Sequence, residues 1–138
     1  MSRIVSTEGP GKIRSQHRRT IAEALRRLSQ KPRLDEEAQD LAALIVICLH
    51  RIADTIEQTT EAWEKRDYYL KADRFREDWR WVEPMADQLS AVIYEERWSQ
   101  LPDVLVQLMP HFSDVKIAKL TRKPSLWKGA YRKLMEGE

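Results

Sequence analysis

The sequence predicts an all-α protein: a single-domain helical bundle of six or seven helices, with long central helices followed by shorter C-terminal ones. Three observations carry this expectation. Apolar residues recur at helical spacing over most of the chain. Only four glycines and six prolines are present, which leaves little material for the tight turns of a β-sandwich. A length of 138 residues with 42% hydrophobic and 33% charged residues suits one folded domain with a real core.

The elements follow in order. Residues 1–12 hold Gly9, Pro10 and Gly11 with no apolar period and are expected as a mobile N-terminal arm, leaving 13–138 as a single helical domain. From Ile13 to Gln30, Ile21, Ala24, Leu25 and Leu28 share one helical face, with His17 at its margin and a basic back. Pro32 closes that helix. Asp35, Glu36 and Glu37 then start another, because acidic groups favour the positive end of a helix dipole. Its stripe of Leu41, Ile45, Cys48 and Ile52, with Val46 and Ile47 pointing elsewhere, marks a central helix covered on most sides.

The stretch from Trp63 to Pro84 reads as one helix. It has an apolar stripe of Tyr68, Ala72, Phe75, Trp79 and Val82, spaced by fours and threes. Its six acids and six bases cancel, which argues against a cationic platform for stacking bases. Trp63, Leu70 and Trp81 form a second stripe on nearly the opposite side. It is expected either to be covered by another part of the chain or to face a partner, where tryptophan is enriched. Pro84 suits the first turn of the next helix, carrying Met85, Leu89, Val92 and Ile93. Pro102 with Asp103 begins a further one that stops at Pro110. Ser113 with Asp114 begins a short helix through Leu120, and Ser125 caps the last, ahead of Gly137.

Charge is unevenly distributed. Residues 1–33 carry nine Lys/Arg against two Asp/Glu, whereas residues 34–63 carry one against seven; the C-terminal part from 102 is again basic. Lys12, Arg14, Arg18, Arg19, Arg26, Arg27, Lys31 and Arg33 form a basic N-terminal helix suited to phosphate oxygens. This makes the backbone of RNA or DNA the first expected partner, with help from Lys116, Lys119, Arg122, Lys123, Lys128 and Arg132. The alternative is a protein partner or a homo-oligomer that uses Trp63, Leu70 and Trp81.

Catalytic chemistry finds little support. No G-x-S-x-G turn and no glycine-rich phosphate loop is present, and no histidine completes a Glu-x-x-His pair or follows an arginine at the spacing of the helical ribonucleases. No metal site and no cofactor are expected, and Cys48 reads as a buried small thiol. The acids Glu36, Glu37 and Asp40, with Glu64 and Asp67, fall in pairs three apart. That arrangement resembles the all-α nucleoside-triphosphate pyrophosphohydrolases, and the resemblance implies Mg²⁺ held between neighbouring helices. A non-enzymatic protein is the leading expectation. The N-terminus lacks the apolar run of a signal peptide, one cysteine closes no internal disulfide, and no apolar stretch approaches a membrane span. A cytoplasmic location is expected. The segment from Ser113 to Leu134 has two short helical patterns joined by a tight break, as in a helix-turn-helix, but Arg122, Lys123 and Pro124 fit its turn poorly.

Overall fold

The computed structural model describes residues 9–137. Among them six α-helices follow one another with no strand: α1 (Pro10–Ser29), α2 (Glu36–Glu64), α3 (Tyr69–Asp78), α4 (Val82–Tyr94), α5 (Leu101–Leu108) and α6 (Ala130–Met135). Single 3-10 turns occupy Trp98–Gln100, Met109–Phe112 and Pro124–Leu126. The protein is an all-α bundle, as its periodicity predicts. None of the described helices is long and apolar enough to cross a membrane.

α1 starts three residues ahead of the expected boundary. Pro10 takes the first helical position, where its missing N–H would have no partner in any case, and the carbonyl of Gly9 accepts from Lys12 and Ile13. Residues 10–12 are therefore helix rather than arm; residues 1–8 lie outside the described residues. Ile21, Ala24, Leu25 and Leu28 are buried along one face of α1, as expected.

α2 is the central helix. Asp35 caps it by accepting the N–H of Ala38 at 2.8 Å. α1, α3, α4 and α6 all pack against it. Leu41, Ile45, Val46, Leu49 and Ile52 are each 0% exposed, so the middle of α2 is covered around most of its circumference. α4 supplies Leu89 and Ile93 to the same core, and α5 supplies Val104 and Leu108. Each such side chain contributes about 1.5–3 kcal/mol when removed from water.

The stretch from Trp63 to Pro84 is not one helix, which corrects the expected stripes. α2 ends in a Schellman motif: the N–H of Tyr68 donates to Trp63 O at 2.9 Å and that of Asp67 to Glu64 O at 3.0 Å. Asp67 takes the left-handed conformation there, φ 64°, a place usually held by glycine. A second interruption at Trp79–Trp81 separates α3 from α4. As a result Tyr68 is 49% exposed, while Ala72 and Val82 are buried and Phe75 and Trp79 are half-buried. The same motif closes α4, with Glu96 left-handed at φ 54° and Arg97 donating to Val92 O at 2.9 Å.

The C-terminal region differs as well. Residues 113–123 form no helix, so the Ser113–Leu120 helix does not exist and the first helix of a helix-turn-helix is missing. Ser125 lies in a 3-10 turn, and α6 begins only at Ala130. Gly129 precedes it at φ 84°, a conformation that favours glycine.

Candidate nucleic-acid interface

A segment without helix leaves its carbonyl oxygens in need of donors, and in 111–119 the arginines of α1 supply them. Arg18 grips Asp114 with both terminal nitrogens, at 3.0 and 2.7 Å, and donates to His111 O at 2.7 Å. Arg19 donates to Lys116 O at 3.2 Å and Lys119 O at 2.8 Å. Arg26 donates to Ile117 O at 3.0 Å. Arg122 reaches back to Thr20 Oγ1 and Gln16 O, each at 3.0 Å.

Glu23 completes this seam. It lies four residues after Arg19 and three before Arg26, hence on the same face of α1. Only 1% exposed, it accepts the N–H groups of Thr121 at 2.7 Å and Arg122 at 2.8 Å, the Thr121 hydroxyl at 2.7 Å, and Arg19 Nε at 2.7 Å. Burial alone would raise its pKa. The donors at Arg122, Thr121 and Arg19 outweigh that and hold it down to about 2.

The other cations named from the sequence go elsewhere. Arg14 donates to Thr55 Oγ1 at 3.3 Å and lies 4.8 Å from the centre of the Phe75 ring. Arg27 lies 4.8 Å from the centre of the Trp127 ring. Lys31 bridges Asp35 at 2.9 Å and Glu37 at 2.7 Å. Lys12 and Arg33 are exposed near the two ends of α1. Brought together are Arg18, Arg19 and Arg26, over one segment of chain.

That segment carries lysines. Lys116, Lys119 and Lys123 are exposed and form no salt bridge among the described residues, although the charge of Lys116 helps to lower the pKa of Asp114. Lys128 and Lys133 follow, equally exposed and unpaired, together with Arg51 of α2. Arg51 and Lys133 escaped the sequence reading. Arg51 is the single Lys/Arg of the acidic stretch 34–63, and that isolation was the one available signal.

The tryptophan stripe does not form a single surface, because its members sit on different elements. Trp81 is stacked on His111, ring centres 3.8 Å apart and 9° from parallel, and meets Phe112 edge-on at 5.7 Å. The 3-10 turn after α5 thus covers it. Trp63 packs edge-on against Phe75 at 5.1 Å, and Leu70 is 65% exposed.

The acidic pairs do not meet either. They stand at opposite ends of α2, and the ~24 residues from Asp40 to Glu64 span about 36 Å at 1.5 Å per residue. Asp40 is buried and accepts the N–H groups of Gly129 at 3.0 Å and Tyr131 at 2.9 Å, fixing the start of α6. Glu37 holds Lys31 and accepts Trp127 Nε1 at 3.4 Å; Glu64 holds Arg76 at 2.8 Å. No group of three or more His, Cys, Asp or Glu side chains converges among the described residues. Burial pushes the Cys48 thiol up to about 12, which leaves it protonated and unreactive near neutral pH.

Comparison with protein-family models, with curated proteins and with solved structures finds no match to this chain.

Proposed function

We propose that this is a non-enzymatic protein that binds the sugar-phosphate backbone of RNA or DNA through a positive surface built jointly by α1 and the segment 113–123. The observation that carries this reading is the division of labour among its cations. Arg18, Arg19 and Arg26 spend their donors on the carbonyls of 111–119, and Lys116, Lys119 and Lys123 are left exposed on the segment so fixed. Lysine suits the outer role, since a hydrated ammonium on a flexible stem meets phosphates without a fixed geometry. The α1 arginines act by positioning, and the lysines make the contact. Retention on heparin that weakens with salt, and that falls when the three lysines become glutamates, tests this assignment; equal retention of that variant would refute it.

A second reading, contact with a protein partner or a second copy, draws on a different surface from the tryptophan stripe. Leu34, Val106 and Met109 are exposed around an apolar hollow whose walls include Leu28, Trp98 and Leu105. Surface patches of this kind favour association. Light scattering of the wild type and of Val106→Glu at high concentration tests the second-copy form of this reading, a monomer in both cases excluding self-association.

A further inference from the structure

One pocket combines unpaired cations with an apolar floor. It lies where α1, α2 and the start of α6 meet, with a volume near 350 Å³. His17 lines it from α1, Arg51 from α2, Lys133 from α6 and Lys128 from the turn just before α6, with Ser125 on its rim. Its apolar lining is Leu44, Ile47 and Leu126. No carboxylate lines it. The nearby Asp40 is buried and turned to the backbone N–H groups of Gly129 and Tyr131, so it does not neutralise the pocket cations.

The positive potential converges on His17. Its pKa is lowered first by burial and then by the charges of Arg51 and Arg122. Arg122 is anchored beside the pocket through Thr20, a residue that also lines it. Arg51, Lys128 and Lys133 surround a concave site with no carboxylate in its lining, and a cleft lined by one sign of charge concentrates ions of the other.

We infer that this pocket is a seat for a phosphate group carried on an apolar or aromatic body: Arg51, Lys128 and Lys133 hold the phosphate, Ser125 donates to it, and Ile47 with Leu126 supports the body. This goes beyond backbone binding, for which exposed cations on an open surface are enough. A nucleoside 5′-monophosphate has the required chemistry. The same group reaches the pocket from two sources, as a free nucleotide or as the 5′-phosphate of a strand.

The test is calorimetry together with NMR of the His17 ring and the Gly129 amide, using adenosine 5′-monophosphate, adenosine and inorganic phosphate at constant ionic strength. Saturable binding of the monophosphate is expected, with inorganic phosphate weaker and adenosine silent. Lys128→Ala with Lys133→Ala should weaken it by about tenfold or more, since two charge-assisted contacts are lost. Both lysines are exposed and unpaired, so this variant keeps the fold. Glutamate at Lys116, Lys119 and Lys123 should leave monophosphate binding within about twofold, well below the tenfold step of 1.4 kcal/mol, which separates this site from the backbone surface. Tighter binding of a 5′-phosphorylated oligonucleotide than of its 5′-hydroxyl form identifies the strand as the source; equal binding of the two, with the monophosphate still bound, identifies the free nucleotide. No saturable shift with the monophosphate, or unchanged affinity in the Lys128/Lys133 variant, overturns the inference.

Discussion

Glu23 on α1 accepts the backbone N–H of Arg122, 99 residues later in the chain, at 2.8 Å. Around this one contact the first helix and the last third of the protein are tied together. Three further donors share the carboxylate, and Arg19 and Arg26 satisfy the carbonyls of Lys119 and Ile117 just before Arg122 in the chain.

Removing that acceptor should be costly. Glu23→Ala leaves two backbone N–H groups and Arg19 without their partner and is expected to destabilise by about 2–4 kcal/mol in urea or thermal unfolding.

Acid should act through the same group. The folded pKa of Glu23, about 2, is below its ordinary value of 4.5. Its contribution is therefore fully present above pH 4.5 and is lost as pH falls from there toward 2. A wild-type loss on the order of 2–3 kcal/mol over that window is expected, and Glu23→Gln should flatten the profile.

The Trp81–His111 stack carries a second pH signature nearer neutrality. Burial first, and the charge of Arg18 second, lower the pKa of His111 from its ordinary 6.5. A depressed folded pKa means that stability is present above 6.5 and declines as pH falls below it. His111→Asn should remove this dependence and cost about 0.5–1.5 kcal/mol through the lost stacking. Unfolding curves at pH 5 and pH 8 measure both effects.

Asp67 and Glu96 hold left-handed positions that a side chain disfavours. Replacing Asp67 with glycine should raise stability by about 0.5–1 kcal/mol, because its native φ of 64° suits glycine without strain. Thermal unfolding reads this directly. An unchanged or lower midpoint would mean that the Asp67 side chain stabilises the turn.

Asp67 also marks where sequence reading stops. The cores of α1 and α2 were legible because Ile21, Leu25, Leu41, Ile45 and Ile52 recur at helical spacing through uninterrupted helix. The break after Glu64 was not, since α2 is closed by a charged residue, Asp67, at the position where glycine normally signals the stop. Continuous helix through Asp67 would place Trp63, Leu70 and Trp81 on one stripe, which the turn at that residue breaks. The helix proposed from Ser113 failed for another reason. Its carbonyls find partners in Arg19 and Arg26, and Glu23 takes the N–H of Thr121 just beyond it, long-range contacts that no local pattern displays. Cation composition pointed to the basic surface, but which cations hold the fold and which stay free depended on those contacts.

The α1 arginines and the lysines of 113–123 should separate cleanly by stability. Arg19→Ala and Arg26→Ala leave carbonyl oxygens without donors and should each cost about 0.5–1.5 kcal/mol, whereas Lys116→Glu and Lys119→Glu should stay within about 0.5 kcal/mol of wild type. Urea midpoints of the four variants check this.

The most direct measurement is the salt dependence of nucleic-acid binding, by fluorescence anisotropy with a labelled single strand and a labelled duplex, for the wild type and for Lys116→Glu/Lys119→Glu/Lys123→Glu. The wild type should bind more weakly as salt rises. The triple variant, with an unchanged melting temperature, should lose at least about tenfold in affinity and reduce the log–log salt slope by about 2–3. Absence of binding to either nucleic acid at low salt, or an identical slope in the variant, would contradict the proposed surface.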